Sequence, residues 1–282
     1  MIPATFDYVR PSSVDEAVSA LRDAGEDAKV LGGGQSLVPV LRFRLAAPTA
    51  LIDLNGVEEL RGVRDDGDAL VIGAMTTHHD MVADGLVQEH APLLAAAAET
   101  VGDRQVRNLG TLGGSLAHAD PAGDLPAVAL ALDAEMTVAG PSGRRTVPAS
   151  EFFVDYLTTV LEPDEVLTAV RVPKLPGWGV RYEKFHRTAQ AWAIVGVAAA
   201  VRRSNGSVAE AKVALTNMGS VPVRCTAVEE ALAGSSAVGL GDAADLASEG
   251  TSPSADLNAS VEYRQHLARV LTRRAVQAAA GM

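Results

Sequence analysis

The sequence predicts an α+β chain, two α/β segments followed by a C-terminal α+β domain of three strands and then helices. Three observations carry this reading. The first 60 residues alternate strand and helix patterns. Residues 173–177 hold two prolines and a glycine, which continue neither a helix nor a ladder. Beyond that break three long strand patterns precede the helical ones, the order of an α+β domain. The expected division is 1–58, 59–173 and 178–282.

Ser13 followed by Glu16 is a capping-box spacing, in which the two side chains satisfy free backbone N–H groups. Val14, Ala17, Val18 and Leu21 then form a helical stripe, and Gly25 supplies the stop. Residues 29–31 read as a short strand running into three glycines, and 50–53 as another. Next come a strand over 69–73, an alanine-rich helix over 92–101 ended by Gly102, and a second glycine loop at 110–115. A helix over 125–132, a strand over 135–139 leading to a turn at 140–143, and a strand over 165–172 close the region. After the linker, strands are expected over 180–187, 193–203 and 211–218, with Asn205-Gly206 as the hairpin turn between the last two. Residues 234–254, small and glycine-rich, read as loop. Residues 261–279 read as a helix with Tyr263, Leu267, Val270, Leu271 and Ala275 along one side.

Composition narrows the function. The 282 residues carry 35 acids against 24 Lys plus Arg, a net charge of -11, and the basic residues never run longer than a pair. That excludes a nucleic-acid face, which needs clustered Lys and Arg. Only 4% of residues are aromatic, so the core must be built from Ala, Val and Leu. Cys225 is the lone cysteine. It forms no intramolecular disulfide, which fits a reducing compartment, and it cannot hold an iron–sulfur cluster, which takes about four thiolates. The start has neither a basic nor an apolar leader region, so no secretory signal is expected. The apolar stretches fall short of the ~20 residues of a membrane span. The chain reads as a cytoplasmic protein.

The chemistry sits at the glycines. Gly32-Gly33-Gly34-Gln35-Ser36-Leu37 follows a strand, so its backbone is free to approach a ligand and turn successive N–H groups toward an anion. It lacks the lysine of a P-loop and the third glycine of a dinucleotide fingerprint. A structural turn is the plainer reading of this loop alone. A second segment, Arg107-Asn108-Leu109-Gly110-Thr111-Leu112-Gly113-Gly114-Ser115, precedes Asp120-Pro121-Ala122-Gly123-Asp124. Two such loops with hydroxyl neighbours suit a pyrophosphate. Asp124 suits sugar hydroxyls, or alternatively caps the helix that follows it. His78-His79-Asp80 and His118-Ala119-Asp120 lack any metal-site spacing and read as surface histidines. No nucleophile elbow is present, and Cys225 has no histidine nearby in sequence. No catalytic residue and no metal ligand is expected.

At these two loops the sequence resembles the FAD-binding medium subunit of the molybdenum hydroxylases, the xanthine and carbon monoxide dehydrogenase family. Phe6-Asp7-Tyr8-Val9-Arg10-Pro11 and Tyr182-Glu183-Lys184-Phe185 support the match, which spans essentially the whole chain. The resemblance implies a vanillyl-alcohol-oxidase-type FAD-binding fold: subdomain 1 over 1–58, subdomain 2 over 59–173, and a C-terminal domain over 178–282. It implies non-covalent FAD bound by Gly32, Gly33, Gly34, Gln35, Ser36 and Leu37 together with Asn108, Thr111, Gly113, Gly114 and Ser115, with Gly33 to Ser36 and Thr111 to Ser115 cradling the pyrophosphate. Asp124 would contact the ribityl or ribose hydroxyls, Leu161 would touch the flavin end, and Lys184 would lie near it as a positive charge. Alternatively Lys184 is an exposed strand lysine. Trp192 would stand near the isoalloxazine or pack between domains. Gly32 stands where relatives often have alanine.

The implied function is electron transfer through FAD. Molybdopterin would reside on a large partner subunit and [2Fe–2S] clusters on a small one, in a dimer of heterotrimers. Two other readings are a self-contained flavin oxidase or dehydrogenase and a nucleotide-binding module without redox activity.

Overall fold

A computed structural model describes residues 2–235 and 239–281. The chain opens with β1 (Asp7–Val9), α1 (Val14–Ala24), β2 (Lys29–Leu31), α2 (Leu37–Arg42) and β3 (Ala50–Asp53). These strands form a parallel sheet in the order β1-β3-β2. The centre strand β3 is buried throughout and α1 covers the sheet with Val14, Ala17, Val18 and Leu21, the stripe expected from its period. Ser13 caps α1 through the N–H of Glu16. The Glu16 carboxylate bonds the N–H and hydroxyl of Ser12 rather than returning to Ser13, so the expected box is displaced by one residue.

The next region holds β4 (Val63–Asp65), β5 (Ala69–Gly73), α3 (His78–Ala83), α4 (Gly85–His90), α5 (Pro92–Glu99), α6 (Arg104–Leu109), α7 (Leu112–His118), α8 (Asp124–Ala131), β6 (Glu135–Gly140), β7 (Gly143–Pro148) and α9 (Ala149–Phe152). A short hairpin, β8 (Phe153–Asp155) with β9 (Thr158–Thr159), precedes β10 (Val166–Pro173). The sheet is antiparallel in the order β4-β5-β10-β6-β7. After the linker come β11 (Trp178–Phe185), β12 (Val195–Ser204), β13 (Ser207–Thr216), β14 (Val223–Arg224), α10 (Thr226–Leu232), α11 (Leu240–Asp245) and α12 (Val261–Ala279). The four strands form a second antiparallel sheet in sequence order. Asn205 (φ 52°) and Gly206 (φ 84°) turn the β12–β13 hairpin, both with the positive φ of a type I′ turn.

Three expectations need correction. The glycine loop at 110–115 is the start of α7, with Thr111 as its cap and only Gly110 and Thr111 between two helices. The loop at 234–254 contains α11 and a 3-10 turn over 246–248, because Ala243, Ala244 and Ala247 bury small faces in the cluster shared with α12 without a long apolar stripe to announce them. Residues 236–238 lie outside the described residues. On α12, the buried side carries Arg264, Leu267, Ala268, Leu271, Ala275 and Val276, while Tyr263 is exposed.

The placement of α8 decides how the domains meet. It is buried on every side, and its core cluster takes Leu93, Leu94 and Met136 from the middle region and Tyr182, Ala198 and Ala214 from the C-terminal sheet. The opposite face of that sheet packs on α10 and α12. Helix α8 is therefore the element of the middle region on which the C-terminal sheet rests.

Candidate cofactor site

The first glycine segment turns between β2 and α2, and Gly34 adopts φ +71° there. Gly33 has no space for a side chain, since a Cβ would lie 2.0 Å from the Leu109 carbonyl oxygen and 2.7 Å from the Gly110 Cα. A Cβ on Gly32 would stand 3.3 Å from the Thr111 hydroxyl. The two segments, some 75 residues apart, are thus pressed against each other, and the first is glycine because the second is there.

Among the described residues, the backbone N–H groups of Gly33, Gly34, Gln35, Ser36 and Leu37 donate to no protein acceptor. Backbone donors are nearly always paired when buried, so this half-buried row of free donors is open to an acceptor from outside the chain. The Gln35 side chain turns back to the Gly33 carbonyl (3.1 Å) and braces the turn. Beneath it, Asn55 donates to the Gly32 carbonyl (3.2 Å) and to Asp53 (2.7 Å), and Arg61 holds the Asn55 amide oxygen (3.1 Å). Asp53 also accepts from the Tyr8 hydroxyl (2.5 Å). Burial raises the Asp53 carboxyl, but the bonds from Tyr8 and Asn55 outweigh it and hold it below its ordinary value. Sequence reasoning missed this brace of Tyr8, Asp53, Asn55 and Arg61. Its only local signal is the Asp53-x-Asn55 spacing at a strand end, an Asx-type turn.

The second segment differs in kind. The Thr111 hydroxyl accepts from Gly114 N–H (3.1 Å), Leu112 N–H donates to Thr76 O (3.0 Å), Gly113 N–H to Ala74 O (2.8 Å) and Ser115 N–H to Thr111 O (3.0 Å). Its amides are therefore engaged within the protein. Gly113 is small because a Cβ would sit 2.5 Å from the Ala74 Cβ. Gly114 lies exposed and Ser115 half-buried, and Asn108 is exposed on α6. The neighbouring His78 is buried, not a surface histidine. It packs under Gly110 with its Nδ1 unpartnered, and burial together with Arg107 lowers its pKa to about 4.

Asp124 and Lys184 meet directly. The Lys184 ammonium donates to Asp124 Oδ2 (2.7 Å) and to the Thr100 carbonyl (3.1 Å), and the Tyr182 hydroxyl donates to Asp124 Oδ1 (2.6 Å). Their side chains are 3% and 4% exposed, for Asp124 and Lys184 in turn. Asp124 is not the cap of α8: Gly123 occupies the cap position and makes no side-chain bond. Lys184 is not an exposed strand lysine either. Burial holds the Asp124 carboxyl above its ordinary value, and Lys184, Tyr182 and His186 oppose that rise without cancelling it. Leu161 is half-buried against the same core cluster as α8. Trp192 is 54% exposed on the loop between β11 and β12. Its loop is fastened by Gln190 to Asp103 (2.6 Å) and by Asn217 to the Ala193 carbonyl (2.7 Å), so the ring projects from an anchored base.

Residues 4–175 match the family described as the FAD binding domain in molybdopterin dehydrogenase, and residues 180–279 match the CO dehydrogenase flavoprotein C-terminal domain. The chain belongs to the FAD-binding medium-subunit family of the molybdenum hydroxylases. It is 42% identical to the carbon monoxide dehydrogenase medium chain of Hydrogenophaga pseudoflava over 99% of this chain and 98% of that one. It is 30% identical to the xanthine dehydrogenase FAD-binding subunit of Escherichia coli O157:H7, over 96% and 95% respectively. A solved carbon monoxide dehydrogenase structure from H. pseudoflava superposes with a TM-score of 0.97 at 44% identity, covering 100% of this chain and 99% of that one. The expected fold, an FAD-binding portion plus a C-terminal α+β domain, is that of this family. Among the described residues no helix is long and apolar enough to cross a membrane.

Proposed function

We propose that this chain holds FAD non-covalently and carries electrons from the [2Fe–2S] clusters of a small partner subunit to an external acceptor. Substrate hydroxylation would take place at a molybdopterin centre on a large partner subunit. The observation that carries the proposal is the row of free N–H groups at residues 33–37, shaped to hold an anion and closed against residues 109–111. A nest of that length suits a pyrophosphate, the one strongly anionic part of FAD.

Gly32, Gly33, Gly34, Gln35, Ser36 and Leu37 hold the phosphates, with Gly114 and Ser115 on the facing side and Thr111 and Gly113 fixing that side's shape. Asn108 borders the opening. Asp124 serves the sugar hydroxyls, and Leu161, Lys184 and Trp192 border the flavin end. When bound, FAD supplies the junction between one-electron and two-electron carriers, and the protein supplies position and electrostatics. Lys184 brings its charge already paired with Asp124, so this end of the site is close to neutral before a flavin enters. Cys225 takes no part, because burial pushes its thiol up to about 12.

Residues 1–58 and 59–173 act as the two FAD-binding subdomains and 178–282 as the cover, in a cytoplasmic dimer of heterotrimers. Isolation of the tagged chain from its native host tests the assembly. The expected result is co-purification of a molybdenum-containing large chain and an iron–sulfur small chain. A chain that emerges alone, with substrate-dependent flavin turnover of its own, would point to the self-contained oxidase instead.

A further inference from the structure

The grip on Asp124 comes from the C-terminal domain. Tyr182 and Lys184 stand two residues apart on β11, so both side chains leave the same face of the strand, toward α8. The Tyr182 hydroxyl sits in a slot made by three strands. At Gly196 on β12 a Cβ would lie 2.6 Å from the phenol oxygen, so only glycine leaves room for it there. On β13, opposite Gly196 in register, Thr216 stands 3.5 Å from the same hydroxyl and donates to the Gly123 carbonyl (3.3 Å), at the cap of α8. Tyr182 and Thr216 thus fasten the start of α8 at two successive residues. A slot that admits a phenol and delivers its proton to one carboxylate oxygen is more than apolar packing requires.

We propose that Tyr182 is a positioning residue of the cofactor site: its hydroxyl fixes the orientation of Asp124 and favours the charged form of that buried carboxylate, and FAD retention depends on it. The inference rests on the reading of Asp124 as an FAD residue. Lys184 then completes the pair through the other carboxylate oxygen. Loss of the phenol leaves Asp124 Oδ1 buried without a donor, which favours the protonated acid. The charged and titratable groups facing Asp124 are Tyr182 and Lys184 on β11 and His186 just beyond its end. The Thr100 carbonyl shares Lys184.

The test is FAD affinity of the full chain, followed by flavin fluorescence across pH, for the wild type, Tyr182→Phe, Asp124→Asn and the double variant. Tyr182→Phe keeps the ring and is expected to bind FAD about tenfold more weakly at neutral pH. Its affinity is expected to fall on acidification from a pH about one unit higher than in the wild type. Lys184 and His186 are the same in both chains, so the difference between the two profiles reports on Asp124. In the Asp124→Asn background, Tyr182→Phe is expected to cause no further loss. Unchanged affinity, or weakening with the pH profile in place and additive to Asp124→Asn, would overturn the proposal. A wild type that takes up no FAD overturns the functional reading along with it, whereas a wild type that binds with Tyr182→Phe unchanged overturns this inference alone.

Discussion

Gly33 illustrates how little freedom single residues have at this site. Its Cα lies so close to the Leu109 carbonyl that one methyl group separates a closed from an open junction between the two segments. Gly33→Ala is expected to destabilise the flavin-free chain by about 1–3 kcal/mol, the usual cost of overpacking, and to reduce FAD uptake. Urea unfolding read beside flavin titration checks both. Lys184 poses the converse problem of removal. Lys184→Met leaves the Asp124 carboxylate buried without its cation, expected to lower stability by about 3–5 kcal/mol. Adding Asp124→Leu should return most of that, since an apolar pair of similar volume needs no compensation. Denaturant unfolding of the two variants decides this. If the double variant is no more stable than the single, the pair contributes through something other than its charges.

At the level of elements, the sequence made the regular parts legible and the packed parts opaque. The α1 stripe, β2, β3, β5 and the Asn205-Gly206 turn follow from local periodicity and turn chemistry, and α12 spans the range its pattern predicts. The nature of α7 was hidden because a threonine followed by glycines reads as loop. Its helix forms because Thr111 caps it and Gly113 lets it press on Ala74. The two glycine motifs were visible as site candidates, but their mutual contact, and the Tyr8, Asp53, Asn55 and Arg61 brace, are tertiary facts with no periodic signature. Tyr182 likewise read only as part of a family match, because its partner Asp124 lies 58 residues away.

The first residue of α3, His78, is held near a pKa of about 4 by burial and by Arg107, against about 6.5 in an unfolded chain. The folded state therefore binds fewer protons than the unfolded one between those values. Stability contributed by neutral His78 is complete above about pH 6.5 and is lost as the pH falls toward about 4. His78→Gln is expected to lessen that acid sensitivity, measured as thermal midpoint against pH. A His78→Gln curve parallel to the wild type would show that other groups govern it.

Across the whole molecule, the division of labour follows from what the chain holds and what it lacks. A single buried cysteine excludes an iron–sulfur cluster on this chain. Among the described residues no group of His, Cys, Asp or Glu is placed to hold a metal. The net charge of -11 offers no nucleic-acid surface. On the function proposed above, the cofactor site would draw its free N–H groups from the loop after β2, Asp124 from α8 and Lys184 from β11, so all three parts of the chain would have to be docked for it to form. The visible absorption spectrum of the purified full chain, with its flavin identified after acid release, tests this claim most directly. An oxidised-flavin spectrum is expected, with FAD released intact and unattached to protein, or its appearance on adding FAD to the apo-protein. A colourless protein that takes up no FAD would contradict it.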